Sequence, residues 1–144
     1  MNLLVLDASV ALKWFLIADE PLKDRAMQLL ARSQEGTIDF VIPDLFWAEL
    51  GNVPCKAVRQ GRSTAADAEE SLRRAKNLEL PAFPSEELAE SAFAIAQTRK
   101  GSFHDSIYLA LAISQQATLV TADEKPANAT AAYLPVKWLG ALQI

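Results

Sequence analysis

Met1-Asn-Leu-Leu-Val-Leu-Asp7 decides the fold of this chain, because an unbroken apolar run, Leu3 to Leu6, stops on an acid. A short apolar run without polar alternation is the pattern of a strand buried on both faces, as parallel sheets require. Thr118-Leu-Val-Thr-Ala-Asp123 repeats the arrangement near the other end of the chain. In an open α/β sheet, ligands bind in the crevice outside the carboxyl ends of the strands. Acids that follow two such strands therefore point to one shared anionic site.

Working outward, Val10 to Leu16 and Pro21 to Arg32 have helical periodicity, the second running into Gly36, and Phe40-Val-Ile42 forms a second strand before Pro43. Asp44 is placed as the N-cap of a helix over Leu45 to Gln60 that ends at Gly61. Ser63 or Thr64 opens an Ala- and Glu-rich helix to about Asn77, and Leu78 to Leu80 is expected as a third strand closed by Pro81. Ser85 is expected to cap a helix to about Thr98, and Ser102 one over Phe103 to Gln115. Ala117 to Thr121 and Val136 to Trp138 complete the strands. Strands alternating with helices predict an α/β/α sandwich around a central parallel sheet of four to five strands.

The 144 residues, 51% of them hydrophobic, suffice for one domain over 1–144 with a core that needs no staples. Cys55 is the only cysteine, which excludes an internal disulfide or a Cys-based zinc cluster and fits a reducing cytoplasm. No secretory leader pattern and no run of ~18 apolar residues is present, so no membrane association is expected. The net charge of -4 gives no global positive field of the kind a dedicated nucleic-acid binder carries. Acids gathered around a bound cation would create a different local field, so nucleic acid stays open as a partner.

Each acid has an ordinary reading beside the functional one. Asp7 and Asp123 are both placed to cap the helices that follow, with Pro126 tolerated in a first turn. Ser102-Phe-His-Asp105 has capping-box spacing, yet the helix it opens is apolar nearly all round, which carries Asp105 to the edge of the interior. Glu49 lies a turn inside Leu45-Phe-Trp-Ala-Glu-Leu50 among residues of buried type, with Asn52 on the same helical face. Gathering Asp7, Glu49, Asp105 and Asp123 in one crevice costs on the order of several kcal/mol per close pair at an effective dielectric near 20. A divalent cation removes that penalty. All-oxygen ligation suits Mg²⁺ or Mn²⁺, and such a site serves phosphoryl chemistry.

In order and spacing, Leu6-Asp-Ala-Ser-Val-Ala-Leu-Lys-Trp-Phe15, Glu49 with Asn52, Asp105-Ser-Ile-Tyr-Leu-Ala-Leu-Ala112 and Leu119-Val-Thr-Ala-Asp123 together resemble a PIN-domain protein of the VapC toxin type. The resemblance covers nearly the whole chain. It implies an endoribonuclease that cuts RNA with Mg²⁺ or Mn²⁺, is neutralised by a VapB-like antitoxin and forms a homodimer. It makes Asp7, Glu49, Asp105 and Asp123 the catalytic, metal-holding quartet, with Ser9, Asn52 and Thr121 as supporting polar residues. It makes Trp14, Phe15, Phe46 and Trp47 antitoxin contacts, against the alternative of core packing. Two features depart from the family pattern: Pro54 inside the helix of Glu49, and Pro126 in the Ala-rich stretch after Asp123.

Among other residues, His104 beside Asp105 is either a general acid or a surface residue. Lys13, Lys56, Arg59, Arg62, Arg99 and Lys100 are candidates for phosphate contact, Lys13 foremost by its proximity to Asp7 in sequence. Two other functions fit less well. A catalytically silent module that only pairs with an antitoxin has no use for the intact quartet. A Mg²⁺-binding phosphoacceptor domain needs an acceptor acid after a central strand, where this chain has Ile42-Pro43-Asp44.

Overall fold

The computed structural model describes residues 2–15 and 21–144. Within them, β1 (Asn2–Leu6), α1 (Ala8–Phe15), α2 (Lys23–Gln34), β2 (Ile38–Pro43), α3 (Leu45–Arg59) and α4 (Ala65–Lys76) follow in order. Then come β3 (Ala82–Phe83), α5 (Ser85–Arg99), α6 (Phe103–Ser114), β4 (Thr118–Thr121), α7 (Glu124–Thr130), β5 (Val136–Trp138) and a 3₁₀ turn, Leu139–Ala141. The strands pair in the order β3-β2-β1-β4-β5, all parallel.

The predicted apolar run is the central strand of this sheet. Leu4 pairs with Phe40 and Val5 with Val41 on one side, while Val5 pairs with Leu119 and Leu6 with Val120 on the other. Successive strand residues face opposite sides, and each side has its own core. Leu4, Leu6, Phe40, Ile42 and Val120 pack with Val10, Trp14, Leu29, Phe46 and Leu50 from α1, α2 and α3. Val5, Val41, Leu119 and Val136 pack with Leu88, Ala92, Tyr108 and Leu111 from α5 and α6. This is the expected α/β/α sandwich, with five strands.

The connections run outward from β1 to β2 and β3, and the chain then returns to build β4 and β5 on the other flank. The strand order therefore reverses between β1 and β4, the kind of switch point where a crevice opens outside the strand ends. Asp7 and Asp123 follow those two strands.

Several local expectations change. Leu78 to Leu80 is not a strand: Glu79 has φ 53, off the extended range, and Leu78 and Leu80 pack against the core as loop residues. The third strand lies after Pro81 instead, with Ala82 opposite Ile42. Asp44 makes no side-chain cap to α3; its Oδ1 accepts from Ser85 N (3.1 Å) and Ser85 Oγ, so it serves the start of α5. Ser85 is thus the first residue of α5 rather than its cap. Helix α3 runs on through Pro54 to Arg59. Leu16, expected to end α1, lies outside the described residues.

Candidate active site

Asp7 is fixed from both sides by its backbone. Its N–H donates to the Val120 carbonyl (3.1 Å), extending the β1–β4 ladder by one rung, and its own carbonyl accepts from Val10 N (3.0 Å) to begin α1. Its carboxylate does not cap the helix. Instead Oδ2 accepts from the Ser9 hydroxyl and from Thr121 Oγ1 (3.0 Å). Ser9 Oγ in turn accepts from Ala122 N (3.1 Å), and Thr121 Oγ1 accepts from Asp123 N (3.2 Å). Two hydroxyls thereby lock the ends of β1 and β4 together around one carboxylate.

Asp123 occupies the N-cap position of α7 but makes no side-chain cap bond. Pro126 is accommodated in the first turn of that helix, and Thr130 Oγ1 donates to its carbonyl (2.9 Å). Asp105 sits in the first turn of α6, where Ser102 Oγ accepts from its N–H (3.1 Å). The cap holds the backbone and does not use the carboxylate, and Asp105 is exposed rather than interior. Asp7, Asp105 and Asp123 line one crevice of about 130 Å³ with Ser9, Thr121, Tyr108 and Arg99.

Glu49, on α3, is half-buried, and its Oε1 is buried with no hydrogen-bond partner. Beside it, Tyr108 is 1% exposed and its hydroxyl is also without a partner of normal geometry. Burial raises the Tyr108 ionisation far above the phenol range, with the Asp7 and Glu49 charges adding to the effect. Asp7 is likewise raised from the ordinary 3.8: burial is the main cause, opposed by the Ser9 and Thr121 hydrogen bonds and reinforced by the charges of Glu49 and Asp105. Asp7, Glu49 and Asp105 are thus coupled electrostatically although they come from separate segments, while Asp123 joins Asp7 and Asp105 by lining the same crevice, which Glu49 does not. Among the described residues no three His, Cys, Asp or Glu side chains close into a cage for one ion. A hydrated Mg²⁺ needs only one or two carboxylates beside its waters, and a Glu49 oxygen with no hydrogen bond of normal geometry except the loose approach of Tyr108, coupled to the destabilised Asp7 carboxylate, fits a hard cation.

Not every expected residue joins this group. Asn52 is exposed one turn beyond Glu49 and does not line the crevice. His104 is exposed and does not line the crevice, and Lys13 is half-buried on α1 outside it. Trp14 is a core residue, 6% exposed, whose indole N–H donates to the Ala26 carbonyl (2.7 Å), and Phe46 is fully buried. Neither is available to a partner. Phe15 is half-buried against the same core, with Arg74 over its ring. Phe15 lines a small apolar pocket with Leu12, Leu50, Pro54 and Leu72, and Trp47 lines a larger, largely apolar groove with Gly51, Leu72 and Leu80, edged by Lys76 and Glu79.

The PIN domain family pattern matches residues 4–132, from β1 past the end of α7. This chain belongs to the PIN domain family. Among curated protein sequences none matches it significantly. Solved structures with the same PIN fold include PAE2754 from Pyrobaculum aerophilum, 24% identical with TM-score 0.62, covering 88% of this chain and 78% of that one. A toxin-antitoxin complex from Klebsiella pneumoniae contains a similar chain, 20% identical with TM-score 0.64, with 97% and 98% covered. VapBC2 from Rickettsia felis, bound to a DNA fragment of its promoter, contains another, 15% identical with TM-score 0.60, with 94% and 98% covered. At these identities the likeness is one of fold.

One residue of the PIN crevice, Tyr108, escaped the sequence reading, and a second, Arg99, was named there only among other cations. Tyr108 sits in an apolar helical run, and only the fold, which brings Asp7 and Glu49 to it, reveals its polar surroundings. Arg99 stands in the sequence among six candidates for phosphate contact, with Lys13 put first. The available signal was Gly101 two residues on, whose missing side chain leaves room for the guanidinium.

Proposed function

We propose that this PIN domain, acting as a single cytoplasmic domain, is a Mg²⁺- or Mn²⁺-dependent endoribonuclease of the VapC toxin type. The observation that supports this reading is the convergence of Asp7, Asp105 and Asp123 on one crevice at the switch point of a parallel sheet. Asp7, Asp105 and Asp123, with Glu49 behind them, are the residues that would hold the ion. When bound, the ion supplies a polarised water as nucleophile and neutralises charge on the phosphate.

The chain's own groups prepare this chemistry. Ser9 and Thr121 orient Asp7 through hydrogen bonds, which leaves its other oxygen for the ion. Ser102 holds the first turn of α6 through the Asp105 N–H, which leaves the Asp105 carboxylate unused by the cap. Tyr108 and Leu109, both buried, contribute to the wall of the crevice. Hydrolysis breaks one P–O ester bond: water oxygen joins phosphorus, and the departing ribose oxygen takes up a proton.

A VapB-like antitoxin and a homodimer complete the reading. The toxin-antitoxin character of two structures with this fold supports the partner class, and the apolar groove beside Trp47 supplies a surface for it. The phosphoacceptor alternative loses its support, because Asp44 is bonded to Ser85 rather than set in the crevice. The test is cleavage of single-stranded RNA in Mg²⁺ or Mn²⁺ by the wild type and Asp7→Asn. Loss of cleavage in the variant and in EDTA is expected; equal cleavage by both proteins, or full activity in EDTA, rejects the assignment.

A further inference from the structure

Arg99, the last residue of α5, presents a charge that the fold itself does not use. Two of its three guanidinium nitrogens, Nε and Nη1, are buried without a hydrogen-bond partner. It lines the same crevice as Asp7, Asp105 and Asp123, yet among the described residues it forms no ion pair with any of them. Desolvating a cation without a partner is costly, and nearby carboxylates would normally capture it. The main chain explains why they do not. Lys100 turns into the left-handed region (φ 55), Gly101 N donates to the Ala96 carbonyl, and the Arg99 side chain folds back across Gly101. A Cβ at position 101 would collide with Nη1 of Arg99. The bare Gly101 is thus the floor on which the guanidinium rests.

A cation that lines one crevice with acids and pairs with none of them is free to take an anion that enters there. Resting on the reading of this crevice as a site for phosphodiester hydrolysis, we infer that Arg99 is a phosphate-binding residue that grips the RNA backbone at the mouth of the carboxylate cluster. The planar guanidinium presents parallel donors to two oxygens of one phosphate, a geometry that lysine does not match. It also places positive charge on a surface whose net charge is otherwise unfavourable to RNA.

The test measures steady-state cleavage of a fluorescein-labelled single-stranded RNA, and its anisotropy-detected binding in an Asp7→Asn background. Wild type, Arg99→Ala, Arg99→Lys and Gly101→Ala are compared. Arg99→Ala should raise KM and Kd by about ten- to a hundredfold, the worth of a charged hydrogen bond. Arg99→Lys should recover part of that loss. Gly101→Ala keeps the charge but pushes the guanidinium off its floor, and it should fall between wild type and Arg99→Ala. Because the guanidinium has no partner in the folded protein, Arg99→Ala should not lower the thermal midpoint. Unchanged RNA affinity in Arg99→Ala with an active wild type overturns the role of Arg99 alone. A loss of stability in Arg99→Ala together with wild-type affinity in Gly101→Ala overturns it as well, by making Arg99 a structural residue. A wild type that neither binds nor cleaves RNA overturns the functional reading, and this role with it.

Discussion

Replacing Asp7 by Asn should stabilise the metal-free protein while abolishing its activity. In the folded state the Asp7 carboxyl is raised from 3.8, by burial first and by Glu49 and Asp105 next. For an acid raised in this way, the folded state holds more protons than the unfolded state above pH 3.8. Stability therefore falls as pH rises from there through the folded value, and at neutral pH the charge is a net burden. Asparagine keeps the shape and an acceptor for Ser9 and Thr121. Those bonds weaken from ~1.5–3 kcal/mol for a charged acceptor to ~0.5–1.5 kcal/mol for a neutral one. Because the carboxyl is raised despite both bonds, the burial and repulsion that are relieved exceed what the bonds lose. The expected gain is on the order of 1 kcal/mol or more, a rise in Tm of about 2–4 °C for a domain of this size. Thermal unfolding followed by circular dichroism in EDTA at mildly acidic and at alkaline pH provides the assay. The advantage of Asp7→Asn should be larger at alkaline pH and shrink as the wild-type carboxyl takes up its proton. A variant less stable than wild type at alkaline pH, or a difference that does not vary with pH, refutes the reasoning.

Three other substitutions probe what surrounds the crevice. Thr121→Val removes the donor to Asp7 and the acceptor for Asp123 N; RNA cleavage should fall by about ten- to a hundredfold, as for other residues that orient metal ligands. Asp44→Ala removes the acceptor for Ser85 N across the β2–α5 gap and should cost ~1 kcal/mol in urea unfolding, as loss of a helix cap does. Pro54→Ala restores a donor inside α3 and should raise stability by up to ~3 kcal/mol without changing cleavage.

The parallel sheet was legible because its strands are buried on both faces, and such strands show as unbroken apolar runs: Leu3 to Leu6 and Leu119-Val120 needed no tertiary information. The acids at their ends were legible for the same reason, since a strand end locates a side chain whatever its partners. What the sequence concealed was long-range. Asp44 obeys a local capping rule in sequence, but its acceptor is taken by Ser85, 41 positions away. Leu78 and Leu80 alternate like a strand, but Glu79 turns the backbone and they fill the core from a loop. Trp14 and Phe46 resemble exposed contact residues in composition and are consumed by the core beneath α1 and α3. Arg99 gave no periodic or motif signal, because its burial depends on how the chain turns at Lys100 and Gly101.

The central claim is that carboxylates from β1, α6 and β4 share one cation, and calorimetric titration of Mn²⁺ into the RNA-free protein tests it most directly. Saturable binding that is lost in both Asp7→Asn and Asp105→Asn, residues brought together only by the fold, is the predicted result. Absence of binding at millimolar Mn²⁺, or binding that survives both substitutions, contradicts it.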